Sequence, residues 1–96
     1  MSRIWTHGVW TVKAGRENEF LAAWRELVPI GAELGAGTPV LLRDREQLNV
    51  FRSFGPWPDM DEIERFRPVI HPHVGAMNEQ FESFETFTLD EFYPGE

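Results

Sequence analysis

From Leu48 to Phe66 the chain runs Leu-Asn-Val-Phe-Arg-Ser-Phe, then Gly55-Pro56-Trp57-Pro58, then an acidic segment that carries Ile63 and Phe66. This one stretch limits the second half of the molecule more than any other. Its first part is apolar and β-favouring, which predicts a strand over Leu48–Phe54. Two prolines and a glycine within four residues predict a sharp turn. Asp59 follows as an N-cap, and Glu62 three residues later completes a capping box, so a helix begins there. Pro68 predicts its end near Arg67. Arg52 stands inside the apolar strand, and Trp57 stands at the strand's exit.

The first half reads as strand and helix. Arg3 to Lys13 is rich in Ile, Trp, Val and Thr and is closed by Ala14-Gly15. Its parities are Ile4, Thr6, Gly8, Trp10, Val12 and Trp5, His7, Val9, Thr11. Both carry large rings, which predicts a strand covered on both faces. Gly15 opens a helix with Glu17 and Glu19 in its first turns, where acids favour the dipole. Phe20, Trp24, Leu27 and Val28 follow a helical period, and Pro29 should kink or end the helix. Thr38 to Arg43 predicts a second strand, joined to the next through Asp44-Arg45-Glu46 as an antiparallel hairpin. Pro72 opens a further short helix from His73 to about Phe81, burying Val74, Met77 and Phe81. Phe84 to Phe92 is the last strand, ended by Pro94-Gly95.

The order is β-α-β-β-α-β, the ferredoxin-like pattern of a four-stranded antiparallel sheet with helices on one face. Residues 1–96 make a single domain, a length that buries roughly 60–65% of the unfolded chain's surface. Eight Phe, four Trp and one Tyr make 14% of the chain, most of them in apolar runs. So much ring predicts a second apolar surface beyond the core. A homodimer packing sheet on sheet would cover it.

Charge and composition exclude several classes. The net charge is −7, opposite to a nucleic-acid surface. Glu79, Glu82, Glu85, Asp90, Glu91 and Glu96 concentrate acid near the C-terminus and serve solubility. There is no cysteine, hence no disulfide framework and no thiolate chemistry or thiolate metal site. The N-terminal residues lack the apolar core of a signal peptide, and no apolar run approaches the ~20 residues of a membrane span. A cytoplasmic protein with no membrane partner is expected.

With that order in place, Trp10-Thr-Val-Lys-Ala-Gly-Arg-Glu-Asn-Glu-Phe20 is similar to the opening of antibiotic biosynthesis monooxygenase-like domains of the dimeric α+β barrel superfamily. Phe51-Arg-Ser-Phe-Gly-Pro-Trp57 and the acidic helix after it resemble their third strand and second helix. Phe81 to Leu89 fits their last strand, so the resemblance spans nearly the whole chain. It implies a barrel closed by two protomers, with a pocket in each between sheet and helices. Some such proteins oxidise aromatic polyketides with molecular oxygen and without metal or flavin. Others degrade haem, isomerise lactones, cyclise polyketides or have no known activity. The haem-degrading members use an Asn on the first strand and a late His. Here the strand offers His7 or Gly8, and His71 and His73 fall short of the expected position, which disfavours haem degradation.

The candidate chemistry follows. A cofactor-independent oxygenase needs a base to ionise its substrate, and His7 is the first candidate, with a core or interface histidine as the alternative. Arg52 is either a structural ion pair, with Asp44 or a C-terminal acid, or a cation that stabilises the substrate anion. Trp57 is a packing anchor or a pocket wall, and Trp5, Phe54, His71, His73 and Tyr93 are expected with it as substrate-binding residues. His71 and His73, flanking Pro72, lie at a helix start and the pocket rim. Two histidines do not make a metal site, and no metal is expected. Tyr93 covers the pocket mouth or finishes the last strand. The expected activity is oxygenation of a planar aromatic or polyketide-like molecule without a cofactor. The alternatives are a non-catalytic, small-molecule-binding or stress-associated dimer and a cyclase or isomerase on the same fold.

Overall fold

A computed structural model describes residues 3–33 and 35–93, without the side chains of Ala76 and Asn78. The elements are β1 (Ile4–Val12), α1 (Glu17–Glu33), β2 (Val40–Arg43), β3 (Val50–Trp57), α2 (Met60–Ala76), a 3-10 turn (Met77–Glu79) and β4 (Phe81–Asp90). The four strands form one antiparallel sheet in the order β2-β3-β1-β4. This is the ferredoxin-like α+β arrangement that the element order predicts. The expected stop at Pro94-Gly95 lies outside the described residues.

Three proline readings need correction. β3 does not end at Phe54 in a turn; it continues through Gly55-Pro56 to Trp57. Trp5 pairs with Pro56 on the β1 side, whereas β2 pairs only as far as Phe54. In an antiparallel strand the N–H and C=O of one residue point the same way. The Pro56 carbonyl accepts from Gly37 N–H at 2.9 Å, so its missing N–H faces that loop side and costs the β1 ladder nothing. α2 likewise runs unbroken through Pro68 and Pro72, and α1 through Pro29. All three prolines are exposed. They deprive the carbonyls of Arg25, Glu64 and Pro68 of their usual donor within the helix. The two helices expected on either side of Pro68 are one.

The start of α2 follows its sequence. Asp59 Oδ1 accepts the Glu62 N–H at 3.0 Å. The Glu62 carboxylate turns to Arg65 at 3.0 Å, so the cap is made from the Asp59 side. The β2–β3 connection is also tied locally: Asp44 Oδ1 accepts the N–H groups of Glu46 and Gln47, each at 2.8 Å.

Register decides which side chains meet the helices. Trp10 lies opposite Phe51 and Phe84, and Gly8 opposite Ser53 and Thr86. Trp10, Val12, Phe20, Phe51, Met77 and Phe81 form a core at the end of the sheet where β1 finishes. Val12, Phe20 and Ile63 are completely buried. Each such side chain contributes about 1.5–3 kcal/mol on leaving water. The other parity, Trp5, His7 and Val9 with Arg52, Phe54, Phe87 and Leu89, faces away from the helices.

Candidate functional site

Between the helix-side face of the sheet and the two helices lies a cavity of about 360 Å³. Such a volume lies at the small end of pockets that hold drug-sized molecules. Trp24, Leu27, Val28 and Gly31 bring α1 to it, and Ile63, Phe66, Ile70 and Val74 bring α2. The sheet supplies Thr6, Gly8, Trp10, Ser53, Gly55, Trp57, Phe84 and Thr86. The walls are therefore mainly aliphatic and aromatic, with hydroxyls on the sheet.

Two indoles are fixed through those hydroxyls. Trp10 Nε1 donates to Ser53 Oγ at 3.1 Å, and Trp57 Nε1 donates to Thr6 Oγ1 at 3.1 Å. Thr6 Oγ1 in turn donates to the Gly55 carbonyl at 3.4 Å. Trp10 also stacks on Phe84, with ring centres 3.9 Å apart. Trp57 is 3% exposed and packs on Phe66 at 4.8 Å, so it is both a packing anchor and a cavity wall. Gly8 keeps the floor open. A Cβ there would lie 2.7 Å from Ser53 Oγ and 2.8 Å from Trp10 Nε1.

Arg67 and His71, one helical turn apart on α2, both border the cavity. Arg67 Nη2 donates to Thr88 Oγ1 on β4 at 3.0 Å, across the gap between helix and sheet. Sequence reasoning missed Arg67. Its spacing from His71 was the available signal, but it has meaning only if the helix continues through Pro68.

The sequence-predicted residues fall into separate places. His71 and Trp57 lie at the cavity. His7 and Phe54 border it along their strands, but their rings stack on the opposite sheet face, 4.4 Å apart and 9° from parallel. Phe87 encloses His7 from β4 at 5.6 Å. His7 Nε2 is shielded from water and has no hydrogen-bond partner. Burial holds its pKa below the ordinary value of 6.5, and the charge of Arg52 pushes the same way. Arg52 shares that face but is exposed, and no carboxylate among the described residues lies within ion-pair distance of it. Asp44 feels the Arg52 charge, yet its pKa is lowered chiefly by the backbone N–H groups of Gln47 and Glu46.

Trp5 is also on the far face, donating Nε1 to Glu91 Oε1 at 2.8 Å beneath Arg3. His73 borders a second cleft, of about 230 Å³, with Glu19, Glu26 and Gln80. Tyr93 lies past the end of β4 and is 90% exposed. Among the described residues no three His, Asp or Glu side chains are grouped to hold a metal ion. None of the described helices is long and apolar enough to cross a membrane.

The sequence matches no protein-family model and no curated protein. Solved structures do match, over nearly the whole chain. SnoaB, a cofactor-independent oxygenase from Streptomyces nogalater, superposes with a TM-score of 0.77 at 22% identity, covering 98% of this chain and 99% of its own. A protein of Pseudomonas aeruginosa gives 0.80 at 20% identity, with 96% of each chain covered. A Nitrosomonas europaea protein, described as a candidate antibiotic biosynthesis monooxygenase, gives 0.83 at 14% identity over 96% of this chain and 92% of that one. At such identities the likeness is one of fold. The chain thus has the ferredoxin-like α+β fold of its antibiotic biosynthesis monooxygenase neighbours.

Proposed function

We propose that this chain is a cofactor-independent monooxygenase acting on a planar aromatic or polyketide-like molecule held in the 360 Å³ cavity. The observation that carries the reading is the cavity itself: an apolar slot whose indoles Trp10 and Trp57 are pinned by Ser53 and Thr6. Flat aromatic faces favour a flat aromatic ligand. The sharing of fold with SnoaB supports oxygenation as the chemistry.

The reaction needs an ionised substrate. Loss of a phenolic or enolic proton delocalises charge onto a ring carbon. That carbon bonds to molecular oxygen, and the resulting hydroperoxide loses water to leave a carbonyl. Oxygen is the sole oxidant in this balance. His7 and Arg52, expected as base and cation, approach from the far face of the sheet, where Phe54 and Phe87 enclose the His7 ring. The proposal therefore gives the base to His71, the imidazole on α2 that borders the cavity. Ser53, which accepts from Trp10, has its own proton to donate to the substrate oxygen.

Oxygen uptake with a panel of anthrones and hydroquinones tests this. His71→Ala should lower the rate by roughly 10²–10⁴-fold, the usual worth of a general base. His7→Ala should change it little. No uptake across the panel sinks the oxygenase, and a rate lost only in His7→Ala returns the base to His7.

One observation favours a second reading. Both cavity indoles already have partners within the protein, as a binding module needs. Ligand binding with neither oxygen uptake nor product would support that reading; turnover without oxygen would indicate a cyclase or isomerase.

The proposal includes a homodimer. Val40, Leu42, Phe87 and Leu89 lie on the sheet face away from the helices and are 46%, 52%, 45% and 42% exposed. A second copy packed sheet on sheet would remove this apolar surface from water.

A further inference from the structure

The charge around the cavity is unlike the charge of the chain. The protein carries 16 Asp and Glu against 9 Lys and Arg. None of the acids among the described residues lines the cavity, and among its described lining the one side chain with a permanent charge is Arg67. An anion entering the slot would therefore meet a guanidinium and no lining carboxylate.

The placement of Arg67 strengthens the point. Its bond to Thr88 Oγ1 holds the side chain toward β4 and uses one of five N–H donors. No carboxylate among the described residues lies within ion-pair distance of it. A guanidinium so held keeps a forked edge for a planar, two-oxygen acceptor. His71, a turn away on the same helix, stands beside it at the cavity. Arg67 is exposed at the rim, so such a contact is open to screening by salt.

We propose that the ligand of this cavity is an aromatic carboxylate: its ring system lies among Trp10, Trp57 and Phe66, and its carboxylate is seated on Arg67 at the α2–β4 rim. This rests on the reading of the cavity as an aromatic-binding site and specifies its substrate class. Arg67 is then a specificity-determining residue. It selects the acid over a neutral molecule of the same shape and has no part in proton removal.

The test compares 2-naphthoate with its neutral isostere 2-naphthamide, by quenching of tryptophan fluorescence in the intact chain at low salt. The acid should bind about tenfold more tightly, as expected for one charge-assisted contact. Added sodium chloride should erode that preference and leave the amide unaffected. In Arg67→Gln the two affinities should converge through loss of acid binding alone, while Arg67→Lys should retain part of the preference. Equal binding of acid and amide by the wild type overturns the proposal, and so does a preference that survives Arg67→Gln. The wild-type comparison stands even if a variant does not fold. If neither probe binds, the aromatic-site reading fails and this proposal fails with it. If both bind equally, the aromatic site stands and the anion seat alone is lost.

Discussion

At the scale of single residues, Gly8 and His7 sit side by side on β1 and serve opposite faces. Gly8 is needed for space. A methyl group there would press on Ser53 Oγ, Trp10 Nε1 and Phe84 Cε1, the last at 3.0 Å. Gly8→Ala should destabilise the fold by about 1–3 kcal/mol, the usual cost of overpacking. It should also weaken aromatic ligands, because the displaced atoms form the cavity floor. Urea unfolding and fluorescence titration measure the two effects, and unchanged values in both would refute the assigned role. His7 makes a pH prediction. Its folded pKa lies below 6.5, so the unfolded chain takes up a proton first as pH falls. Stability through this group is unaffected above that value. It declines as pH drops from 6.5 toward the lower folded value, then levels. His7→Phe keeps a ring between Phe54 and Phe87 and removes the titration. Between about pH 7.5 and about pH 5 the wild-type melting temperature should therefore fall further than that of His7→Phe. Equal falls would contradict the assignment.

At the scale of elements, α2 carries most of the lesson. Its start was legible because a cap is local chemistry: Asp59 precedes Glu62 by three residues, and the bond forms. Its length was not. Proline strongly disfavours a helix interior, yet Pro68 and Pro72 are four apart and therefore share one face, which is turned to water. Tertiary packing of Ile63, Phe66, Ile70 and Val74 on the other side offsets the lost N–H groups. Pro68→Ala should return a donor to the Glu64 carbonyl and raise stability by about 1–2 kcal/mol, the helix gain less the added unfolded-state entropy. A lower urea midpoint in Pro68→Ala would mean that the helix depends on the proline ring. β3 shows the same limit. Gly55-Pro56 looks like a turn until the Pro56 carbonyl is seen to face the Gly37 loop, beyond the end of β2.

At the scale of the whole molecule, the sheet divides two apolar surfaces. One is the cavity, closed over by α1 and α2. The other bears Val40, Leu42, Phe87 and Leu89 in the open. The proposed homodimer predicts a particle of twice the chain mass by light scattering at micromolar concentration. Phe87→Glu should shift it to monomer, because a carboxylate opposite an apolar sheet is costly to bury. A wild-type monomer would leave the open face without its proposed cover. The βαββαβ order, the Asp59 cap and the Asp44 turn were readable because each depends on residues close together in the chain. Strand parity was not, because β1 carries large rings on both parities and alternation then allows either face to be the inner one. Packing against the helices settled it, putting Trp10 and Ser53 at the cavity and His7 and Arg52 on the far side. The Arg67–His71 pair became visible for a related reason: a helix face exists only once the helix is known to continue, and burial of α2 against the sheet outweighs the prolines that argue for its end.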